Sequence, residues 1–229
     1  MRIVVFSDVH GNSLALKEMF LMCQKYNITK YIHCGDIFGY FYNQKEVIDL
    51  FIKNDVISIM GNHDKYFLDF YDHQIDSSVL EKYGHSYDIN RKELDFKYIQ
   101  YVRKLPLFYQ MEYNNLKIMF YHGSPTNPLE GRHYPDKTES LEKYNLSNVL
   151  FLGHTHYRMK FRTKDALVLN PGSLGLPRDS NGFSFLLCDL SKMEFEFLNI
   201  NINFVDLMSE IPDNDTIKED IYKVLNRKR

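Results

Sequence analysis

The chain is poor in the residues that organise small or unusual folds. Only three of its 229 residues are cysteines, at positions 23, 34 and 188. Their number is odd, their spacings are long and no Cys-x-x-Cys pair occurs. Neither a disulfide framework nor a thiolate zinc site is supported, and a reducing, cytoplasmic setting is the expectation. Repeats, low-complexity tracts and obvious linkers are also missing. So are long apolar runs. The N-terminal run Ile3–Phe6 is too short for a signal peptide or a bilayer span, and Asp8 follows it at once. A soluble chain with no membrane association is therefore expected. Charge of one sign is not in surplus either. The formal net charge of −2 gives no global basic field to gather nucleic acid, which is disfavoured as a partner. The local exception, Asn226-Arg227-Lys228-Arg229, reads as a solvated tail.

What is present is an alternation of apolar runs and amphipathic segments. Ile3–Phe6, Lys30–Cys34 and Val56–Met60 read as strands. Leu14–Lys25, with apolar residues at 14, 16, 19, 20 and 23, and Gln44–Ile52 read as helices. Strand–helix–strand alternation implies parallel pairing through crossover helices. Phe67 to Lys104 reads as helical, rich in Tyr, Asp and Lys, and Pro106 stops it. The second half turns to short strands. Phe108–Tyr113 and Lys117–Tyr121 flank the turn signal Asn114-Asn115. Val149–Leu152, Tyr157–Arg162 and Leu167–Leu169 follow, then a hairpin of Phe183–Asp189 and Met193–Ile200. From Phe204 the pattern is helix, a Pro212-Asp213-Asn214 break, and helix. Taken alone, it gives an α/β class with added antiparallel pieces. The simplest organisation is one domain over 1–229, with a helical insert at about 67–104 and a C-terminal helical tail at about 204–229.

Polar clusters stand at the ends of the apolar runs. The first ends in Asp8-Val9-His10, the second in His33-Cys34-Gly35-Asp36, the third in Gly61-Asn62-His63-Asp64. Later runs end in His122-Gly123-Ser124-Pro125, Gly153-His154-Thr155-His156 and Asn170-Pro171-Gly172-Ser173. Ligands of open α/β sheets sit beyond the carboxyl ends of the strands, where every one of these clusters lies. Residues i and i+2 of an extended exit face one side, so Asp8 with His10, and His154 with His156, can each address one point. Asn12 or Ser13 is also placed to cap the helix that follows. Asp8, His10, Asp36, Asn62, His122, His154 and His156 offer only oxygen and nitrogen, a set suited to Mn, Fe, Zn, Co or Ni rather than to soft ions. Seven ligands exceed one tetrahedral site and suffice for two ions if a carboxylate bridges them.

The succession D-x-H, G-D, G-N-H-D, H-G and G-H-T-H, in this order and strand context from Asp8 to His156, resembles the calcineurin-like metallophosphoesterase superfamily. Gly35-Asp36-Ile37-Phe38-Gly39-Tyr40, His122–Pro125 and Asn170–Ser173 are similar to its small bacterial and archaeal phosphodiesterase branch. The resemblance implies a four-layer α/β/β/α sandwich of two mixed sheets flanked by helices. It implies two divalent metal ions, manganese foremost: Asp8, His10 and His156 on the first, Asn62, His122 and His154 on the second, Asp36 bridging. A hydroxide held between the ions would attack the phosphoester, and His63 would protonate the leaving oxygen, with Asp64 as the candidate to orient it. The substrate would be a small-molecule phosphoester, a diester first. The alternatives are a nucleotide phosphomonoesterase or dinucleoside polyphosphate hydrolase, and, in another class, a catalytically silent interaction scaffold. Analogy suggests a homo-oligomer.

One position departs from the pattern. Many members carry a second acid in G-D-x-x-D, where this chain has Gly39; the glycine reads as a mark of the small branch. Among the cations, Arg132, Arg158 and Arg178 are candidates to meet phosphate oxygens, Arg178 first. His33 is placed to support a ligand from behind. The glycines beside the candidate ligands, and the amides of Asn170–Ser173, could approach a phosphate closely. The tyrosines from 66 to 101 read as helix faces and rims, with a nucleobase-stacking lid as the alternative.

Overall fold

The structure is a computed structural model that describes residues 1–138, 141, 148–179 and 181–227. Lys228 and Arg229 of the basic tail lie outside the described residues. The first sheet begins with three parallel strands, β1 (Arg2–Phe6), β2 (Lys30–His33) and β3 (Ile57–Ser58). The second contains β4 (Phe108–Tyr113), β5 (Leu116–Tyr121), β6 (Val149–Phe151), β7 (Arg158–Arg162) and β8 (Leu167–Pro171), in the order β4-β5-β6-β8-β7. Its three inner strands are parallel and its two edges antiparallel. The late hairpin, β9 (Ser184–Asp189) and β10 (Glu194–Asn199), returns to the first sheet, giving β10-β9-β1-β2-β3. Each run expected as a strand is one, with ends shifted by a residue or two.

The sheets stack because their strands are apolar on both faces. Within β1, Ile3 and Val5 enter a core between the sheets, where Ile32, Ile118, Phe120, Phe151 and Leu186 meet them. Val4 and Phe6, pointing the other way, join a larger core beneath the helices. That core receives Leu16 and Met19 from α1 (Ser13–Cys23) and Ile48 and Phe51 from α2 (Gln44–Lys53). Fully burying one such side chain contributes about 1.5–3 kcal/mol. The same core takes residues of α3 (Asn62–Tyr71), α4 (Ser78–Tyr83), α5 (Ser86–Glu93), α6 (Phe96–Arg103), α7 (Phe204–Ser209) and α8 (Lys218–Leu225). The fold is thus an α/β sandwich of two mixed sheets flanked by helices. The outer face of the second sheet carries Met119, Tyr121, Leu150 and Val168, with Leu141 packed on them. Much of the chain around Leu141 lies outside the described residues.

Two local differences from the sequence pattern bear on the site. The helical insert begins earlier than 67, at Asn62, because Gly61 stands at the N-cap and Asp64 takes its N–H at 2.8 Å. Breaks at 72–77, 84–85 and 94–95 cut the insert into four helices. The tail is two short helices tied back by Asp215, whose carboxylate accepts from Tyr42 Oη and from the N–H groups of His85 and Ile217. No helix among the described residues is long and apolar enough to cross a membrane.

The inter-sheet core sets one expectation. Phe151 is fully buried and stacks on Phe120 with centroids 4.9 Å apart. Phe151→Ala should cost about 3–5 kcal/mol in urea unfolding. Val205→Ala, at 72 % exposure, should change stability by about 0.5 kcal/mol or less. Equal effects at the two positions would mean that the inter-sheet packing is not what holds the sheets together.

Candidate metal centre

Five strand ends bring the candidate ligands to one place. β1 delivers Asp8 and His10, β2 Asp36, β3 Asn62 through the first residue of α3, β5 His122, and β6 His154 with His156. The convergence is not made by the strand pleat, as the i, i+2 spacing suggested. Asp8, His10, Asp36, His154 and His156 all have left-handed backbone, with φ of 56°, 50°, 69°, 67° and 62°. Such a conformation costs a non-glycine residue on the order of 1–3 kcal/mol and persists only where surrounding bonds impose it. Here the loops brace one another. Asp8 N–H donates to Gly35 O at 2.9 Å, His10 N–H to Asp36 O at 3.0 Å, and Gly175 N–H to Asp8 O at 2.9 Å. The capping role for Asn12 holds at the same time: its Oδ1 accepts from Ala15 N–H at 3.0 Å and starts α1.

The side chains fall into two groups of ligand atoms. Asp8, His10, Asp36 and His156 present one atom each within 4.8 Å of one another, and so do Asp36, His122 and His154. Asn62 Oδ1 joins the second group, 2.8 Å from His122 Nε2 and 2.9 Å from His154 Nδ1. Asp36 belongs to both.

The arrangement has too many acceptors for the protons available. Backbone carbonyls take the Nδ1–H of three rings: Phe38 O for His10 at 2.6 Å, Cys34 O for His122 at 2.8 Å, and Leu176 O for His156 at 2.6 Å. Each of those rings therefore turns its Nε2 inward, bare of hydrogen in the neutral ring. The Nε2 atoms of His10 and His156 face each other at 3.1 Å. Asp8 Oδ1 and Asp36 Oδ2 are buried with no hydrogen-bond partner among the described residues, 3.4 Å and 3.3 Å from the Nε2 atoms of His156 and His122. Lone pairs converging in a buried site repel unless a cation stands among them, and these donors suit a divalent ion. His154 differs. Its Nδ1 faces inward while its Nε2 accepts from Arg132 Nε at 2.9 Å, so a cation at Nδ1 requires the proton on Nε2 and releases Arg132 from it.

The electrostatics express the same crowding. Burial pushes both carboxyls up. At Asp8 the rings of His156, His122 and His10 outweigh burial and hold the carboxyl below its usual range, whereas at Asp36 burial prevails. Burial also pushes the imidazoles down. It leaves His154 at about 3 and His10 well below the usual value, but at His122 the Asp36 and Asp8 carboxylates win and raise the ring to about 9.

A cavity of about 220 Å³ opens over this cluster, lined by Asp36, Asn62, His63, His154, Thr155 and His156 at its floor and by Tyr40, Lys82, Tyr83, Arg132, Tyr134 and Arg178 around them. His63, Arg132 and Arg178 line this cavity together with the candidate ligands Asp36, Asn62, His154 and His156. Other expectations need correction. Asp64 does not orient His63: its carboxylate is spent on the N–H groups of Asp36, Ile37, Phe38 and Gly61, at 2.8–3.1 Å. Arg158 is not in the cavity but beside Asp179 and Phe197. His33 bonds Ser58 Oγ at 2.8 Å and not a ligand. Asn170 and Ser173 brace the loops, through Gly153 O and Asp8 O, and do not wall the cavity. The ligand-side glycines pack on protein rather than on a phosphate site; a Cβ on Gly61 would stand 2.0 Å from Asp36 Oδ1. Lys82 and Tyr134 were missed, since nothing in their local spacing marks them and tertiary packing alone brings them to the rim; Tyr83 belongs to the tyrosine stretch read as helix faces and rims.

Comparison with known proteins agrees with this geometry. Residues 1–193 match the model of the calcineurin-like phosphoesterase superfamily domain. An uncharacterised protein of Methanocaldococcus jannaschii, MJ0912, is 26 % identical over 93 % of this chain and 92 % of its own. Phosphodiesterase MJ0936 of the same organism is 26 % identical over 75 % of this chain and 83 % of its own. The crystal structure of a metallophosphoesterase from Sphaerobacter thermophilus shares the fold, with a TM-score of 0.76 at 22 % identity, covering 98 % of each chain. The order of strands, the donor set and the match over most of the length lead to one conclusion: the chain belongs to the calcineurin-like phosphoesterase superfamily.

Proposed function

We propose that the chain is a metal-dependent hydrolase of small-molecule phosphoesters, a phosphodiesterase first, with two divalent ions in the site. The observation that carries this reading is the pair of ligand groups sharing Asp36 beneath the cavity that His63 lines. Asp8, His10 and His156 would hold one ion and Asn62, His122 and His154 the other, with Asp36 on both. When bound, the ions supply the positive charge that clamps a phosphoryl group and acidifies water near neutral pH. Manganese is the first candidate.

The chain's own residues supply the rest. Water adds across the P–O bond, its hydroxyl to phosphorus and a proton to the leaving oxygen. His63 donates that proton. It is nearly buried, and its Nδ1 is occupied by Tyr87 Oη at 2.7 Å, which leaves Nε2 to the cavity. Arg178 meets the phosphate oxygens from the rim, assisted by Lys82 and Arg132. Among the described residues Arg178 reaches Tyr40 Oη at 3.5 Å and Lys82 lies over the Tyr83 ring at 4.9 Å, contacts that leave both charges able to meet an anion. The cavity's 220 Å³ is below the roughly 300–1,000 Å³ of sites for drug-sized ligands. It fits the phosphoryl group and one adjoining group, with the remainder of the substrate outside.

Three outcomes test the reading. Metal-stripped protein given Mn²⁺ should hydrolyse an unactivated aryl phosphodiester, and His63→Ala should lower the turnover by about 10²–10⁴-fold. Absence of turnover with any divalent ion, despite measured binding, would move the chain to the scaffold class. Mn²⁺ at about a hundred times its Kd should raise the melting temperature by roughly 5–10 °C, and Asp36→Asn should abolish the shift. Arg178→Ala should raise KM for the diester about tenfold, the order expected for one exposed charge-assisted contact to phosphate. A fall in kcat at constant KM would place Arg178 elsewhere in the reaction.

A further inference from the structure

We propose that Tyr87 is the positioning residue for His63, and that Gly39 exists as glycine to make room for their contact. The inference rests on the hydrolase reading for its consequence but on separate observations for its geometry. Tyr87 belongs to α5 of the helical insert, between the candidate ligands Asn62 and His122 in the chain. It is fully buried. Its Oη lies 2.7 Å from His63 Nδ1 and 3.5 Å from the carbonyl of His63. The two rings lie nearly parallel, 11° apart. Asp64, the residue expected to orient His63, is fully engaged with four backbone N–H groups.

Gly39 completes the arrangement. It stands where many relatives of the family pattern carry a second acid. A Cβ there would lie 2.5 Å from His63 Nδ1 and 3.3 Å from Tyr87 Oη, and its φ of +91° disfavours any side chain. A side chain at position 39 would crowd this contact, and the group that holds His63 comes from α5.

A phenol suits the task for a chemical reason. With its own O–H turned to the His63 carbonyl, Oη accepts from Nδ1–H. That bond survives proton transfer, because only the Nε2 proton leaves. As the P–O bond breaks, its electron pair goes to the leaving oxygen, which takes the Nε2 proton. Water gives its hydroxyl to phosphorus and its remaining proton restores Nε2–H. Nδ1–H stays on Tyr87 throughout, and the ring keeps its aim. The insert that carries Tyr87 is thus part of the acid's mounting.

Tyr87→Phe removes one oxygen and keeps the ring in the core, so it tests the contact without emptying the site. The full Mn²⁺-loaded chain is assayed on two diesters: one with an alkyl leaving group, which needs a proton, and a 4-nitrophenyl ester, whose phenolate leaves without one. The expected result is a kcat lower by roughly 10- to 100-fold on the alkyl ester at unchanged KM. The nitrophenyl ester should change less than about twofold, and His63→Ala/Tyr87→Phe should be no slower than His63→Ala alone. In parallel, the side-chain ¹⁵N resonance of His63 Nδ1 should shift between wild type and Tyr87→Phe. Equal losses on both esters, or an unmoved Nδ1 resonance, would overturn the proposal. If the wild type turns over neither ester, the hydrolase reading falls instead, and the resonance alone decides whether Tyr87 holds His63.

Discussion

The constraint on which the structure depends is the burial of two carboxylates, Asp8 and Asp36, among the imidazoles of His10, His122 and His156, whose Nε2 atoms face them. Water cannot relieve this crowding, because Asp8, Asp36, His10 and His122 are 1 % exposed or less. Other local features follow from it. Three backbone carbonyls fix three ring tautomers. Five residues adopt left-handed backbone to bring their side chains inward. Glycine stands at 61 because Asp36 fills the space that a side chain would need. A sheet sandwich suits this purpose. The parallel strands of both sheets end at the same side, and their exits can press ligands against one another while the apolar strands behind absorb the cost.

Asp64 and Asp215 show how the surrounding chain keeps those exits in place. Asp64 binds the N–H groups of the Asp36 loop and of Gly61 with one carboxylate, so Asp36 and the start of α3 move as a unit. Asp215 does the same at a distance. It joins Tyr42, beyond the Asp36 loop, to His85, between α4 and α5. Residues 204–225 lie past the stretch that matches the superfamily model. Through Asp215 they support the two helices that bring Lys82 and Tyr83 to the cavity rim and Tyr87 to His63.

How much of this was legible in the sequence depends on the range of the interactions involved. Ligand types and strand ends are local. A run such as Ile3–Phe6 followed by Asp8-Val9-His10 carries both signals within ten residues, and each run read as a strand is one. The seven ligand candidates converge for the same reason. The sequence was misleading where the outcome depends on backbone conformation or on partners far along the chain. The spacing of Asp8 and His10 suggested an extended exit, yet the backbone is left-handed, braced by Gly35 and Gly175. Asp64 sits beside His63 in sequence but points away from its ring, because neighbouring positions of a helix face different sides. Tyr87 lies 24 residues from His63, and no periodicity announces that pairing.

The site's cost also explains why its ligands and its stability are one problem. Left-handed backbone at five positions and two unpartnered carboxylate oxygens are held by contacts made elsewhere. A protein can carry such a site only where the loops are mutually bonded and the core behind them is large. A bound cation would remove the principal repulsion and leave the bracing bonds in place. Ion binding and fold stability are then linked through Asp36, the one residue common to both ligand groups. The same linkage separates two kinds of change. Substitutions at the ligands alter the field for which the loops are built, and they change stability and chemistry together. Tyr87→Phe keeps the buried ring and alters chiefly the aim of His63, and it should change chemistry more than stability.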